Sequence, residues 1–390
     1  MRNLTPLYLL SFFTFSCFGQ NPRAFLRYTF ETAQYDTLQV SGTNPLGTFG
    51  YPHSTGYNTT GVSNMPQSLV GPTISGAQYS RKTRAAEDYA YTSFPMSTAV
   101  KLMMIEGGDT FSLCSGSMVS EKHVMTASHC LHDFGSDSVR FDSLLVCPAY
   151  DNGRMNPIFK CSGVVRALYP SNWLSDFTDI TILELDKELG KLTGYLGLTS
   201  SAEEDSLTNR LYYKFSYPSI HVPVFDSVPY NGDTLYFSYG IVDSIGPNTL
   251  MILGGHGIPG ESGSSLFRKN RYWQAYGVVS RSVNYTHSRL LNWQYEVIYA
   301  EILSSLHSPS SPEASLILFP NPTSGSFTVH NKGSGKMERV VLSTITGRVV
   351  KVWEPDSRSL YIDNTELPGG VYVVMVESGG MVFGERIVVR

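Results

Sequence analysis

The chain has 390 residues, enough for two or three domains, and a formal net charge of −4. So weak a charge gives no reason to expect a nucleic acid or an anionic membrane as partner. With 24 Tyr, 20 Phe, 35 Gly and 21 Pro, and almost no Ala- and Lys-rich helical runs, the composition favours an all-β protein with many turns.

Residues 1–19 read as a secretory signal peptide: Arg2, an apolar run over 7–18, and Gly19 as the small residue before cleavage at Gln20. Such a run is too short to anchor stably in a bilayer, and no other stretch approaches a transmembrane length. Lipoprotein processing at Cys17 is disfavoured by Thr14, which stands where an apolar residue is normal. An exported protein, secreted or held at the cell surface after crossing the periplasm, is expected. Removing the signal leaves Cys114, Cys130, Cys147 and Cys161. An even number in an exported chain predicts two disulfides, with three connectivities open.

Residues 20–84 are rich in Gly, Asn, Thr, Ser and Tyr, contain a strand-like piece over 26–30, and end in the basic cluster Arg81-Lys82-Thr83-Arg84. A propeptide, a loosely ordered arm and extra structure packed on the downstream domain are all compatible with that composition. Over 85–306, short strand-like runs alternate with turns, at 97–105, 123–127, 180–185, 235–239, 249–253 and 276–280, the spacing of a sandwich or barrel. Val297, Ile298, Ile302, Leu303 and Leu306 recur at helical spacing and predict a terminal helix over 295–306. Ser308-Pro309-Ser310-Ser311-Pro312 marks an exposed linker, 307–313. Residues 314–390 form a separate β module, with alternating runs at 327–329, 340–342, 348–352, 371–376 and 386–389.

Three segments carry chemistry. Thr126-Ala127-Ser128-His129-Cys130 comes after Cys114-Ser115-Gly116-Ser117. Asp179-Ile180-Thr181-Ile182-Leu183 opens a buried-looking strand with a carboxylate that is costly there without a partner. Gly260-Glu261-Ser262-Gly263-Ser264 sets a serine between glycines, which allow close backbone approach to a substrate. A serine hydroxyl becomes a useful nucleophile when an imidazole takes its proton and a carboxylate fixes that imidazole. Asp176 competes with Asp179 for the last role. A zinc set of Cys114, His129, Cys130 and His132 is the competing reading of the first segment, although no close Cys-x-x-Cys pair is present.

In this order, His then Asp then Ser, the segments resemble the chymotrypsin/trypsin-like serine endopeptidases. That resemblance implies two six-stranded antiparallel β-barrels with a C-terminal helix over 85–306. It also implies a catalytic triad of His129, Asp179 and Ser262, and an oxyanion hole from the amides of Gly260 and Ser262. A Cys114–Cys130 bridge would close a loop of about 15 residues, a constraint of order 3 kcal/mol, beside the base. The primary specificity pocket should have His256 at its floor and Ser280 and Ser282 on its wall. No aspartate stands at that floor, which argues against an Arg or Lys preference. His256 with Arg281 or Arg289 would instead favour an acidic side chain.

The chain also departs from trypsin. Glu261 replaces the usual aspartate before the nucleophile, no Ile-Val-Gly-Gly stretch precedes the domain, and the cysteine pair framing trypsin's pocket is missing. Gly-Glu-Ser-Gly-Ser looks nearer to the bacterial glutamyl-endopeptidase branch. Activation by cleavage after Arg84 is one expectation. The expected function is a secreted serine endopeptidase, working on protein or peptide substrates as a monomer without cofactor or metal. The alternative is a binding or adhesion protein on an inactive protease scaffold.

Ile317-Leu318-Phe319-Pro320-Asn321-Pro322, then Thr346-Gly347-Arg348, Leu367-Pro368-Gly369-Gly370-Val371-Tyr372 and the terminal Ile387-Val388-Val389-Arg390 resemble the C-terminal sorting domain of the type IX secretion system of Bacteroidetes. The resemblance implies a small antiparallel β-sandwich that addresses the protein to that machinery and is removed on export. A generic β adhesion or carbohydrate-binding module is the competing reading.

Overall fold

The structure, a computed structural model, describes residues 23–40, 48–57, 83–84, 91–132, 138–220, 230–252, 257–281, 286–305, 316–333, 335–344, 349–363, 367–378 and 381–390. The expected signal peptide and linker lie outside the described residues.

The chain begins with β1 (Ala24–Thr29) and β2 (Gln34–Gln39), followed by β3 (Thr48–Gly50) and the two-residue β4 (Thr83–Arg84). Six strands come next: β5 (Ala99–Glu106), β6 (Asp109–Met118), β7 (His123–Thr126), β8 (Ser143–Pro148), β9 (Ser162–Pro170) and β10 (Thr181–Leu185). They run in the order β10-β7-β6-β5-β8-β9, and β9 pairs back onto β10, so the barrel closes. Closure leaves no unpaired edge within the six. Side chains on both faces of its wall, such as Val100, Leu102, Val124, Met125, Ile182 and Leu183, are essentially inaccessible.

β1 extends this sheet through β9, in register from Phe25 opposite Pro170 to Thr29 opposite Arg166. Phe25 is fully buried and meets the Trp293 ring edge-on at 5.5 Å. Burying a phenylalanine is worth roughly 1.5–3 kcal/mol, so this stretch of the N-terminal region contributes to the core rather than hanging from it.

The second half holds a single helical turn, α1 (Leu189–Thr193), and β11 (Gly197–Ser201), β12 (Leu211–Ser216), β13 (Ser219–Ile220), β14 (Tyr230–Asn231) and β15 (Tyr236–Ile241). It continues with β16 (Ser244–Ile245), β17 (Thr249–Met251), β18 (Ser265–Lys269), β19 (Trp273–Arg281) and β20 (Thr286–Arg289). Its main sheet runs β16-β17-β20-β19-β18-β12-β15-β4. Where a second closed barrel was expected, the described residues form an open half-barrel. Among the described residues its edge strands β16 and β4 are two residues long.

The terminal helix, α2 (Asn292–Ser305), starts three residues before its predicted position. Its first turn buries the polar Asn292 and Gln294 together with Trp293 and Tyr295. The Gln294 side chain accepts from the Leu291 amide at 2.9 Å. Apolar periodicity cannot register a turn held by buried amides.

The C-terminal module contains β21 (Leu316–Phe319), β22 (Phe327–Asn331), β23 (Arg339–Thr344), β24 (Val349–Trp353), β25 (Ser359–Ile362), β26 (Gly370–Ser378) and β27 (Met381–Val389). Two antiparallel sheets, β21-β22-β25 and β24-β23-β26-β27, enclose a separate core of residues including Phe327, Val329, Val340, Leu342, Val374 and Ile387. The module meets the preceding unit through Tyr272, whose hydroxyl donates to Glu377 at 2.7 Å and accepts from Arg339 at 2.6 Å. No helix among the described residues is long and apolar enough to cross a membrane.

Candidate active site

β7 and β10 are antiparallel neighbours with Thr126 opposite Thr181. His129 lies three residues past Thr126 and Asp179 two before Thr181, so the register brings both to the same end of the closed barrel. After β7 the chain makes a 3-10 turn over Ser128–Cys130 that presents His129. Cys130 is bonded to Cys114 of β6, fastening the turn to the barrel wall. The second bridge joins Cys147 of β8 to Cys161 at the entry to β9.

Asp179 receives His129 twice: the backbone amide donates to Oδ1 at 2.9 Å, and Nδ1 lies 2.7 Å from Oδ2. Ser280 Oγ adds a third bond, donating to Oδ2 at 2.5 Å. The carboxylate is 6% exposed and the imidazole 15%. Burial alone would raise the Asp179 pKa, but the His129 charge, the hydrogen bonds from the imidazole and Ser280, and the His129 amide outweigh it. The net direction is down, so Asp179 stays an anion. A carboxylate bonded to Nδ1 selects the tautomer in which Nε2 is the basic nitrogen.

Ser262 sits partly exposed on the loop entering β18. Gly260 and Gly263 on either side have φ of +85° and +80°, conformations that favour glycine. At Gly263 a Cβ would also lie 2.0 Å from Thr126 Oγ1 and 2.4 Å from the Ser115 carbonyl. The serine loop therefore reaches the strand end bearing His129 only because a side chain is missing there. Ser115 clamps the two halves together. Its amide donates to the Ser262 carbonyl at 2.8 Å, its hydroxyl donates to the Gly260 carbonyl at 2.7 Å, and the same hydroxyl accepts from the Tyr217 amide at 2.9 Å.

Glu261 is completely buried. Its Oε1 accepts from Lys214 Nζ at 2.8 Å and Ser216 Oγ at 3.1 Å, and its Oε2 from the Ile258 amide at 2.8 Å. Lys214 is 1% exposed.

The structure thus brings His129 and Asp179 together, and holds the Ser262 loop against Thr126 and Ser115. Asp176 is exposed in a turn, its backbone carbonyl accepting from the Asn248 side chain. Ser280, expected on the pocket wall, spends its hydroxyl proton on Asp179. His256 and Ser282 lie outside the described residues, as does the side chain of Arg281. Arg289, expected to favour acidic substrates, is buried and donates to the Ser201 carbonyl. Cys114 and Cys130 share a disulfide and offer no thiolate, while His132 bonds the Ser128 carbonyl and stacks on Trp173.

Sequence reasoning missed Ser115 and Lys214. The signal for Lys214 was present in β12: Tyr212, Lys214 and Ser216 alternate onto one face, an inward register that a lysine enters only with a buried anion for company.

The fold and this arrangement define a trypsin-like serine protease domain. Residues 86–293, just over half of the chain, match the Trypsin family, and the chain belongs to it. Residues 317–390 match the secretion system C-terminal sorting domain.

Among solved structures, a Glu endopeptidase in complex with MPD superimposes with a TM-score of 0.43 and 18% identity, covering 58% of this chain and 95% of that one. The protease Anisep from Arthrobacter nicotinovorans superimposes at a TM-score of 0.38 and 22% identity, covering 50% and 90%. Inactive serine protease 35 of Rattus norvegicus and of Homo sapiens is 49% identical over 49 residues, 13% of this chain. The chain spans about a tenth of the length of those curated relatives.

Proposed function

We propose that the protein is an exported serine endopeptidase with His129, Asp179 and Ser262 as its triad. The observation that carries this reading is the doubly bonded His129–Asp179 pair. It lies at the barrel end against which the Ser262 loop is packed at Gly263.

Ser262 Oγ attacks the scissile carbonyl while His129 Nε2 takes its proton. Asp179 holds the imidazolium that forms and keeps its charge throughout. The oxyanion faces the amides of Gly260 and Ser262, donors each worth roughly 2.7–4 kcal/mol in related chemistry. His129 then returns its proton to the leaving amine, and water resolves the acyl-enzyme by the same steps. The sorting module delivers the enzyme through the type IX secretion machinery to the cell surface or the medium, and takes no part in catalysis.

Ser262→Ala should reduce peptide hydrolysis by about 10⁶ if the three groups act as a unit. Peptidase activity surviving that change sinks the reading. The second reading, a binding protein on an inactive scaffold, is favoured by the short match to relatives named inactive. It predicts no turnover by the native chain on any peptide library and no effect of Ser262→Ala on partner binding.

A further inference from the structure

A carboxylate buried next to a nucleophile needs a cation, and in trypsin-like enzymes activated by cleavage a newly made chain terminus supplies it. Here the cation comes from inside the chain. Glu261 precedes Ser262, is wholly inaccessible, and is neutralised by Lys214 Nζ at 2.8 Å. Lys214 stands in the middle of β12, pointing inward between Tyr212 and Ser216. We propose that Lys214 is a positioning residue that builds the oxyanion loop in the uncleaved chain, making proteolytic activation unnecessary. The inference rests on the protease reading above.

The connection from Lys214 to the reacting atoms is short. Lys214 and Ser216 fix Glu261 Oε1, and Glu261 Oε2 accepts from the Ile258 amide. The loop from Ile258 to Ser262 is thereby folded back on its own side chain. The same turn is closed by the Glu261 amide donating to the Ile258 carbonyl at 3.1 Å. Gly260, one of the two oxyanion amides, lies inside that closed turn. His287 of β20 is a further titratable group near this pair. Burial first, and then the Lys214 charge, push its pKa down to about 3, so the cation facing Glu261 is the lysine. Removing one partner of a buried pair strands the other charge in the interior.

The described parts of the N-terminal region support the same conclusion. Thr83 and Arg84 pair in β4 with Phe237 and Tyr236, so Arg84 belongs to the sheet. Upstream, β1 and β3 are strands of the two halves, and Tyr51 donates its hydroxyl to the Val119 carbonyl at 2.5 Å.

The test uses the full chain carrying Arg81→Ala, Lys82→Ala and Arg84→Ala, its intact N-terminal region verified by mass spectrometry. It should react with an organophosphonate at Ser262 at the same rate as the wild-type chain treated with trypsin. Lys214→Met should lower kcat by about 10²–10³, the scale of losing an oxyanion donor, with KM little changed. Lys214→Arg should recover much of that loss.

The double variant Lys214→Met/Glu261→Leu controls for folding, because apolar residues often replace a buried ion pair without loss of stability. It should melt like the wild type and still turn over slowly. Labelling that appears only after cleavage, or a Lys214→Met enzyme with full kcat, overturns this inference alone. Absence of Ser262 labelling in every form overturns it together with the protease reading.

Discussion

The two halves of the protease domain hold the residues of the proposed triad by different means. His129 and Asp179 belong to a closed barrel whose seam is the β9–β10 pairing and whose histidine turn is fastened by the Cys114–Cys130 bridge. Ser262 belongs to an open half-barrel and is held by a buried ion pair, two left-handed glycines and the Ser115 clamp. Topology and a covalent bond position His129, whereas electrostatics and backbone sterics position Ser262. Damage to the first half should therefore show chiefly as lost stability, and damage to the second as lost turnover wherever the buried charges stay balanced.

The largest effect that breaks this comparison comes from its exception, Asp179, which sits in the stable half but in the proposed triad orients the imidazole. Asp179→Asn should reduce kcat by about 10⁴, because an amide no longer enforces the productive imidazole tautomer, while circular dichroism shows an intact fold. A loss of only a few-fold would mean that Asp179 has a structural role alone.

Next in size is the disulfide. Replacing Cys114 and Cys130 by serine should lower unfolding free energy by about 3 kcal/mol in a denaturant titration. Per folded molecule, turnover should fall much less than in the Asp179 variant. If kcat collapses while stability is unchanged, the assignment of roles to the two halves is wrong.

A further effect, a pH slope, is shared by both halves. His123, in β7 beside Ser120, and His287, in β20, are wholly buried, and burial chiefly holds each pKa at about 3. A histidine kept neutral in the fold but free to protonate at its ordinary value near 6.5 when unfolded stabilises fully above that pH. Its contribution is lost as pH falls from there toward 3. Each should cost about 1 kcal/mol per pH unit over that window. Asp179 acts in the same direction at lower pH: its pKa is depressed, so its contribution stands above the ordinary carboxylate range and is lost on acidification through it. Thermal melts from pH 7 to 4.5 should show the slope. His123→Gln should remove part of it, and an unchanged slope in that variant would rule out its contribution.

Much of this was legible in the sequence, because chemistry that needs fixed local neighbours leaves local text. The Cys-His pairing of 129 and 130, the strand behind Asp179 and the glycines around Ser262 are each encoded within a few adjacent residues. The illegible part depends on long-range register. That Lys214 faces Glu261 is a consequence of the order β18-β12-β15, and that Ser280 bonds Asp179 is a consequence of where β19 ends. The integration of β1 and β3 was hidden for the same reason. Their turn-rich surroundings left a propeptide, a loose arm and packed structure all open, and only pairing with β9 and β11 shows them as parts of the fold.

Mass spectrometry of the full chain after treatment with an organophosphonate probe tests the central claim most directly. The account predicts one adduct, mapped to Ser262 and absent from Ser262→Ala and His129→Ala. A chain left unmodified at Ser262 under conditions that label trypsin would contradict it.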